Sequence, residues 1–427
     1  MKLQIERAIY GGAGLARVEG KAAFVPYALP GEVVEARIVE DRGGYAQTEL
    51  EKVLEPSAFR SDPPCPYFGR CGGCHYQHAA YEEQLRMKAS ILRESLERAH
   101  VAGIPEIVPV FAEPFAYRNR IRLHLQRAPF ALCYKQRGSH ASLPVDVCPI
   151  AAPLPAKALD LFRAYGEAWE LPQWVDEVEF FANGDADGLL ISLWTRRDAR
   201  SSASRLPALL AAVQGRLDMP VGIGVFSSER GKQQGRLIAQ AGEGHLTYSV
   251  VSQSYCVSVG SFFQVNQLLL DRLIALVVDG AAGATAWDLY AGVGLFACQL
   301  AKGFSQVIAV ESSPSSFADL RENLKGARHK AVAASTLDFL RRAEKQSESA
   351  PDLVVVDPPR AGLGKEVTTL LGKIRPGHIT YVSCDPATLS RDLFALVESG
   401  YHLRNIHMVD LFPQTFHLES VTTLSLD

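Results

Sequence analysis

Hydrophobic and polar residues follow different periods in successive parts of the chain. Within residues 1–55 they come close to alternation, as at Val34, Ala36 and Ile38, and glycine-containing turns separate the runs. Alternation places every second side chain on one face of a strand, so this part predicts a small β unit. Over residues 79–100 the apolar side chains instead recur every three or four positions, which predicts an amphipathic helix.

The remaining pattern predicts a β-rich middle followed by an α/β region. Residues 115–255 contain alternating runs, and two of them flank the polar segment 183–188 in the manner of a hairpin. From about residue 265 helical and strand patterns alternate, which is typical of a parallel sheet covered by helices. Its strands are predicted at 285–289, 306–310, 353–356 and 378–383. We therefore expect three domains, at residues 1–55, 56–260 and 261–427.

Composition narrows the class of protein. The 427 residues contain 44 Lys plus Arg and 47 Asp plus Glu, a net charge of −3, which excludes a histone-like basic protein and an acidic disordered tail. No apolar run reaches the roughly 18 residues of a membrane helix, and residues 1–10 lack the apolar centre of a signal peptide. We expect a cytoplasmic protein without membrane contact. Its eight cysteines are then metal ligands, catalytic thiols or buried side chains rather than disulfides.

A glycine turn opens the third domain. Asp288 lies in a predicted strand, and Gly292, Gly294 and Ala297 then match the dinucleotide pattern G-x-G-x-x-G/A before a helix. Glu311 follows at the end of the next predicted strand, where a carboxylate can bind both ribose hydroxyls of an adenosine. NAD and S-adenosylmethionine both suit such a turn. Asp288 favours S-adenosylmethionine, because a carboxylate there can meet its cationic methionine portion and would repel a pyrophosphate.

A second acidic group follows an apolar strand. Asp357 is succeeded by Pro358, Pro359 and Arg360. The prolines stiffen the turn and hold the carboxylate at the carboxyl edge of the sheet, where ligands bind. Arg360 stands where amino-group methyltransferases with a similar turn place an aromatic residue. This difference argues against methylation of an exocyclic nitrogen.

A cysteine lies between a predicted strand and a helix start. Asp385 can cap that helix and Pro386 can begin it, so the preceding Cys384 is expected to gain thiolate character. A thiolate can add to carbon 6 of a pyrimidine and make carbon 5 nucleophilic enough to accept a methyl group. The proton left on carbon 5 then needs a base, for which Glu419 and His417 are candidates.

Four cysteines form the densest metal-binding pattern. Cys65, Cys71 and Cys74 are closely spaced, and Cys148 precedes a proline farther along the chain. Together they can complete a four-thiolate site for zinc or for a 4Fe–4S cluster, and the spacing does not separate the two. The segment 71–75 also matches the c-type haem motif, but that assignment would require export.

Residues 114–145 form a basic stretch without a single acidic residue. Aromatic and histidine side chains lie between its basic residues, so we predict a surface that faces RNA phosphates and stacks on bases. A solvated β face is the alternative. The basic residues are Arg118, Arg120, Arg122, Arg127, Lys135 and Arg137, and the interleaved residues are Tyr117, His124, Phe130, Tyr134 and His140.

The order of these motifs resembles the RNA uracil-C5 methyltransferase family, most closely its iron–sulfur 23S rRNA branch. The resemblance rests on Cys-x5-Cys-Gly-Gly-Cys at 65–74, Ser-Phe-Phe-Gln-Val-Asn at 261–266, Asp-Leu-Tyr-x-Gly-x-Gly at 288–294, Asp-Pro-Pro-Arg at 357–360 and Ser-Cys-Asp-Pro at 383–386. It implies an α/β fold with a C-terminal Rossmann-like class I methyltransferase domain. An N-terminal OB-like TRAM barrel would bind RNA, and a β-rich central domain would carry a 4Fe–4S cluster.

The resemblance also implies roles for residues at matching positions. Cys384 would be the nucleophile and Glu419 the base. Leu295 stands where several relatives carry Asn, which removes a polar group from the glycine turn. The pocket for cofactor and target base would be lined by Gln264, Tyr290, Glu311 and Asp357. The cluster, structural and in contact with RNA, would be held by Cys65, Cys71, Cys74 and Cys148.

We therefore expect an enzyme that transfers a methyl group from S-adenosylmethionine to carbon 5 of a specific uridine, with 23S rRNA as the favoured substrate. The target base has to leave its stack to reach both thiol and methyl donor. The sequence leaves alternatives open: a tRNA uracil-C5 or RNA cytosine-C5 methyltransferase, a non-catalytic iron–sulfur RNA-binding protein, and an NAD-linked oxidoreductase. RNA is the expected partner, and no obligate protein partner is evident.

Overall fold

The computed structural model describes residues 1–196, 203–227, 235–346 and 349–426. Within these ranges the strands form three large sheets and one separate two-stranded ribbon. The N-terminal and middle sheets each have a hydrophobic core of their own, and the C-terminal sheet has a core on each face.

The first sheet is formed by the N-terminal residues, in the order β1-β5-β6-β4-β3-β2. Its strands are β1 (Lys2–Gln4), β2 (Arg7–Ile9), β3 (Ala13–Val18), β4 (Lys21–Pro26), β5 (Val33–Asp41) and β6 (Tyr45–Glu55). The linker between the edge strands β1 and β2 joins both ends of the sheet, because Ile5 N–H donates to Glu32 O and Glu6 N–H donates to Leu15 O. The sheet therefore curls into a small barrel, as predicted.

A segment without helix or strand, residues 56–80, leads to helix α1 (Tyr81–Arg98) and strand β7 (Ile107–Val110). The apolar face predicted for α1 is buried, and the helix is two residues shorter at each end than predicted. Strand β7 pairs with the C-terminal sheet rather than with the middle one.

The middle sheet has the order β10-β9-β8-β11-β12-β13-β14. The predicted hairpin at 183–188 is confirmed, because Ala182 and Leu189 pair across its turn. Helices pack on this sheet, and the two-stranded ribbon β15–β16 follows it. The elements are β8 (Arg120–Arg127), β9 (Phe130–Lys135), β10 (Ser142–Pro144), α2 (Pro153–Tyr165), α3 (Leu171–Trp174), β11 (Glu177–Ala182), β12 (Leu189–Thr195), α4 (Leu206–Leu217), β13 (Val221–Ser227), β14 (Arg236–Gly242), β15 (His245–Val250) and β16 (Gln253–Ser258).

The C-terminal sheet has the order β19-β18-β17-β20-β21-β23-β22-β7. Strands β19 to β21 of this order run parallel, and β23 runs antiparallel between β21 and β22. The four strands predicted in this region are confirmed to within two residues. The elements are α5 (Leu270–Val278), β17 (Gly283–Leu289), α6 (Ala297–Leu300), β18 (Phe304–Glu311), α7 (Pro314–Asn323), β19 (Lys330–Ala333), α8 (Thr336–Lys345), β20 (Leu353–Val356), α9 (Gly364–Ile374), β21 (His378–Ser383), α10 (Pro386–Glu398), β22 (His402–Val409) and β23 (Glu419–Ser425).

The topology of this sheet defines where a ligand can bind. Strand β17 lies in the middle, and the chain continues from it to β18 on one side and later to β20 on the other. Such a reversal opens a crevice beyond the carboxyl ends of the strands. The strand ends at this edge place Asp288, Glu311, Asp357 and Cys384 next to one another in the sheet order.

Candidate active site and cysteine cluster

The glycine turn after β17 surrounds a buried carboxyl group. Asp288 is fully buried, and its Oδ2 accepts a hydrogen bond of 2.8 Å from Ala297 N–H. Its Oδ1 has no hydrogen-bond partner among the described residues. Burial, together with the charges of Asp357 and Glu311, raises the pKa of Asp288 to about 8, although the Ala297 N–H opposes this shift. An unpaired buried carboxylate oxygen is a binding position for a cationic ligand group.

The two glycines of this turn differ in function. Gly292 has φ +56°, and a side chain at this position would meet open space. Gly294 has φ +93°, and a Cβ there would lie 2.8 Å from Leu320 Cδ1. Gly294 is therefore required by packing, whereas the backbone at Gly292 can be approached by a ligand.

Glu311 ends strand β18 as predicted. Its Oε2 accepts from Gly292 N–H at 2.8 Å, and its Oε1 accepts from Ser313 N–H at 2.5 Å. Each carboxylate oxygen retains a second lone pair, so the side chain can still accept from ribose hydroxyls. Tyr290 lies half-buried in the same turn with φ +69°. Gln264, which precedes α5, is half-buried, and its carbonyl oxygen accepts from Asn119 Nδ2 at 3.3 Å.

The predicted helix cap beside Cys384 is confirmed. The Asp385 side chain accepts from Ala387 N–H at 3.1 Å and from Thr388 N–H at 3.0 Å, and Pro386 is the first residue of α10. The cap fixes the turn in which Cys384 joins β21 to α10. Cys384 itself is half-buried.

The expected thiolate character of Cys384 was wrong for the free protein. Burial raises the pKa of its thiol to about 12, and the nearby carboxyls of Glu419 and Asp357 act in the same direction. Arg360 opposes them but does not outweigh them. The helix N-terminus that motivated the prediction is thus a weaker influence than burial next to acidic groups.

The charge of Asp357 acts on the buried carboxyl of Glu419. Glu419 is the first residue of β23 and is 5% exposed. Burial and the charge of Asp357 raise its pKa well above the usual range, and burial also raises the pKa of Asp357. A raised pKa makes a carboxylate a stronger base, which suits proton removal from carbon.

His417, the second candidate base, is held as a neutral acceptor. Arg360 Nη2 lies 3.0 Å from its Nδ1, and its ring packs against Phe412 and Phe416. Burial and Arg360 lower the pKa of His417 to about 3. A group with such a pKa is a weak base at neutral pH, so Glu419 is the stronger candidate.

The four cysteines of the predicted metal site come together. Cys65, Cys71, Cys74 and Cys148 line one cavity of about 410 Å³. Burial raises the pKa values of the first three thiols, and the charge of Cys148 adds to each shift. In the described ranges, however, no group of three or more His, Cys, Asp or Glu residues is placed so as to hold a metal ion. The four cysteines therefore line one cavity, but the described residues show no metal-binding geometry.

Two family models match this chain. The model described as tRNA (Uracil-5-)-methyltransferase matches residues 80–426, and the TRAM domain model matches residues 2–50. This chain belongs to the tRNA (uracil-5-)-methyltransferase family. The family identifies the enzyme class as RNA uracil-C5 methylation with S-adenosylmethionine as the methyl donor, and it confirms the predicted N-terminal TRAM domain. An NAD-linked oxidoreductase and a non-catalytic RNA-binding protein are therefore set aside.

Several relatives match this methyltransferase over its full length. An uncharacterized RNA methyltransferase of Aquifex aeolicus is 33% identical, covering 100% of this chain and 98% of the relative. The 23S rRNA (uracil(1939)-C(5))-methyltransferases RlmD of Shewanella amazonensis and Chromohalobacter salexigens are 31% and 32% identical, covering 99% and 100% of this chain and 95% and 89% of theirs. The Pyrococcus abyssi tRNA (uracil-54, C5)-methyltransferase, solved with S-adenosyl-L-homocysteine, superposes with a TM-score of 0.77 at 23% identity, covering 99% of this chain and 100% of that one. This last likeness shows the fold.

The loop that leads to Glu419 in this methyltransferase is held by residues that the sequence did not single out. We call residues 410–418 the base loop. Lys88 Nζ on α1 lies 2.6 Å from Asp410 Oδ1, and both side chains are fully buried. Gln84, one turn earlier on α1, exchanges two hydrogen bonds with Gln414. A signal was present, because Lys88 has helical spacing from Leu85 and so falls on the apolar face of the helix.

The basic stretch is only partly available to RNA. Arg120, Arg122 and Arg127 form ion pairs with carboxylates of Glu179, Glu177 and Asp176, at 3.4, 2.6 and 2.6 Å. Acidic residues at and beside the neighbouring strand β11 offset the positive charge of these three arginines, although the side chains of Arg122 and Arg127 remain partly exposed. The phosphate-facing surface stays a prediction. Tyr117 is also unavailable, since it is fully buried with its hydroxyl on Pro413 O. Arg118, Arg122 and Lys135 line the cysteine cavity.

No helix of the described ranges has both the length and the apolar character that crossing a membrane requires.

Proposed function

We propose that this methyltransferase modifies one uridine of 23S rRNA through a transient bond between Cys384 Sγ and carbon 6 of uracil. One observation carries the proposal. Ser383, the last residue of β21, pairs with Ser420 of β23, so Cys384 and Glu419 lie directly beside the last residue pair between these two strands. Neighbouring strands of a sheet lie about 4.7–4.9 Å apart. A nucleophile and a base at this spacing can both reach one pyrimidine ring.

The reaction follows from these groups. The thiolate of Cys384 adds to carbon 6, and the electron pair of the carbon 5–carbon 6 double bond makes carbon 5 nucleophilic. S-adenosylmethionine would supply the methyl group: the bond between its sulfonium sulfur and the methyl carbon breaks as carbon 5 bonds to that carbon, and S-adenosylhomocysteine is released. Glu419 then accepts the proton from carbon 5. The electron pair of the broken carbon 5–hydrogen bond re-forms the double bond and expels the Cys384 thiolate. Release of the proton from Glu419 and reprotonation of the thiolate then return the enzyme to its initial state.

Asp357 can stabilise the negative charge that develops on the uracil ring. Because burial raises its pKa, its carboxyl retains a proton closer to neutral pH than an exposed aspartate does. A protonated carboxyl can donate a hydrogen bond to a carbonyl oxygen of uracil, where negative charge accumulates after thiolate addition.

We assign the cofactor to the turn after β17. The unpaired Oδ1 of Asp288 would receive the cationic methionine portion, and Glu311 would receive the ribose. Gly292 leaves the backbone open to close approach. Tyr290 and Gln264 would complete the pocket, as the family resemblance implies, and Gly294 keeps the turn packed against α7.

We infer that the four cysteines hold a 4Fe–4S cluster rather than zinc. A single zinc ion needs four thiols converging at about 2.3 Å, whereas a cluster has four irons and separates its ligands more widely. The four cysteines line one cavity, and the resemblance of their pattern to the iron–sulfur branch of the family favours the cluster. Four cysteine ligands leave no open iron, so the cluster would support structure and not take part in methyl transfer.

The metal assignment is tested by the colour of the protein. Anaerobically purified protein should be brown, absorb near ~400 nm and contain iron and acid-labile sulfide in equal amounts. A Cys74→Ala variant should lose this absorption, whereas Cys256→Ala, outside the cavity, should retain it. Colourless wild-type protein with one zinc per chain would overturn the cluster.

The choice of 23S rRNA over tRNA rests on the relatives. The two 23S rRNA enzymes match at least 99% of this chain, whereas the description of the matching family model names tRNA. Unmodified 23S rRNA and unmodified tRNA transcripts should therefore be offered separately with tritiated methyl donor. We expect label in 5-methyluridine from 23S rRNA alone. Label in tRNA alone, or in 5-methylcytidine after nucleoside digestion, would contradict the substrate assignment.

A further inference from the structure

A tyrosine of the N-terminal barrel lies at the active site. Tyr10 follows β2, yet its hydroxyl donates to the carbonyl oxygen of Cys384 at 3.5 Å, across 374 positions of sequence. The charged groups of Asp385 and Arg360 also act on this hydroxyl. Burial raises the pKa of Tyr10 above its ordinary value, so the phenol keeps its proton and remains a donor.

The ring of the same tyrosine contacts the base loop. It packs edge-on against Phe416, with ring centroids 5.4 Å apart and an interplanar angle of 90°. Phe416 lies three residues before Glu419 and packs against His417. Tyr10 therefore touches both the turn that carries the nucleophile and the loop that carries the base.

The chain around Tyr10 is shaped for this close approach. Gly11 and Gly12 follow it with φ values of +104° and +88°. A Cβ at Gly12 would lie 3.0 Å from the Cβ of His75, so a larger residue would push the barrel away from the cysteine segment. The position of the tyrosine is thus built into the contact between the barrel and the rest of the molecule.

We propose that Tyr10 is a positioning residue for methyl transfer, and that the N-terminal barrel forms one wall of the active site. Its hydroxyl holds the peptide of Cys384, and its ring holds Phe416. Together these contacts fix the separation between the thiol and Glu419. The inference rests on the proposed function, because it takes Cys384 as the nucleophile.

The test separates positioning from RNA binding. Tyr10→Phe removes only the hydroxyl, and Tyr10→Leu also removes the aromatic ring. Single-turnover methyl transfer is measured with 23S rRNA transcript at saturating concentration, and RNA affinity is measured separately. Loss of one neutral hydrogen bond corresponds to about a fivefold lower rate constant for Tyr10→Phe, with RNA affinity unchanged. Tyr10→Leu should lower the rate constant further.

Tyr45→Phe is the matched control. Tyr45 lies in the same barrel, but its ring packs against Phe24 and not against the active site. We expect its rate constant and RNA affinity to equal those of the wild type. Because Tyr10→Phe retains the ring, it should keep the wild-type melting temperature, and its rate constant is the decisive measurement.

Two outcomes would overturn the inference. Tyr10→Phe and Tyr10→Leu could both transfer methyl at the wild-type rate with saturating RNA. Alternatively, both could lose only RNA affinity, which would make Tyr10 an RNA contact. Failure of the proposed function is a different result: the wild type would methylate RNA without ever forming a covalent adduct with Cys384.

Discussion

Cys384 illustrates how a residue's surroundings can reverse an expectation drawn from its position in the chain. A helix N-terminus favours a thiolate, but burial and the carboxyls of Glu419 and Asp357 raise the pKa of this thiol to about 12. The thiol is therefore protonated in the free enzyme. Such an arrangement protects it from unwanted oxidation and alkylation, since the thiolate is the reactive species.

The raised pKa of Cys384 predicts a pH dependence. Below a pKa of about 12 the thiolate fraction increases tenfold for each pH unit, so kcat/KM should rise steadily from pH 6 to pH 9. Measurement at saturating S-adenosylmethionine separates this effect from cofactor binding. A profile that is flat above pH 7 would show that the thiolate is already formed in the free enzyme.

Asp288 predicts a second pH effect, on cofactor affinity. Because burial raises its pKa to about 8, the group is largely protonated at pH 6 to 7 and becomes the anion that a cationic ligand needs only as the pH rises. The affinity for S-adenosylmethionine should increase toward pH 8 and then level off, with proton release on binding. Titration calorimetry in buffers of different ionisation enthalpy measures both quantities.

Asp288→Asn is the control for that experiment. Asparagine can still accept from Ala297 N–H, so the turn should remain folded. The variant should bind the cofactor more weakly and release no proton, and any pH dependence that persists arises from the ligand. Unchanged affinity in this variant would remove Asp288 from the cofactor site.

At the scale of elements, helix α1 positions the base loop. Lys88 donates to Asp410 and to Phe412 O, and Tyr81 donates to Asp410 Oδ2 at 2.9 Å. Tyr117 adds a hydrogen bond to Pro413 O. The segment before Glu419 has no regular structure of its own, so these buried polar contacts determine where the base lies.

Breaking the buried ion pair should therefore be costly. Lys88→Met leaves Asp410 charged and buried, and we expect a loss of roughly 3–5 kcal/mol in unfolding free energy together with slower methyl transfer. Arg98→Met, which removes an exposed pair on the same helix, should change stability by less than about 1 kcal/mol. Urea unfolding of both variants is the measurement. Equal stability of the two would show that the ion pair does not hold the loop.

The elements that sequence predicts well are those with a strong local signal. Strands such as Leu353–Val356 are apolar throughout because helices cover both faces of a parallel sheet, and the Asp385 cap follows from adjacent residues. Pairings between distant segments have no such signal. The carboxylates that neutralise Arg122 and Arg127 lie about 50 residues farther along the chain, and strand β7 joins a sheet whose other strands follow much later.

At the scale of the whole molecule, the cysteine segment connects all three predicted domains. We define it as residues 65–78. Tyr27 of the barrel packs on Phe68, and Gly72 N–H donates to Lys135 O of the middle sheet. His75 and Tyr76 N–H both donate to Gln414 O in the base loop, at 2.7 and 3.0 Å. A group bound by the four cysteines would thus stabilise the active site from a distance.

Removal of the metal centre should consequently affect both folding and chemistry. Oxidation in the presence of a chelator should remove the metal centre. This treatment should lower the melting temperature, slow methyl transfer and increase amide exchange at residues 75–76 and in the base loop. Cys256→Ala, treated in the same way, should behave like the wild type. Loss of the centre with unchanged exchange in the base loop would contradict this structural link.

The covalent step is the central claim, and it can be observed directly. Glu419→Gln keeps the nucleophile but removes the base, so methylated RNA should remain bonded to the protein and survive a denaturing gel. Peptide mass spectrometry of that complex should place the nucleotide on Cys384, and Cys384→Ala should abolish it. A Glu419→Gln enzyme that turns over without an adduct, or one linked to RNA through another residue, would contradict the proposed mechanism.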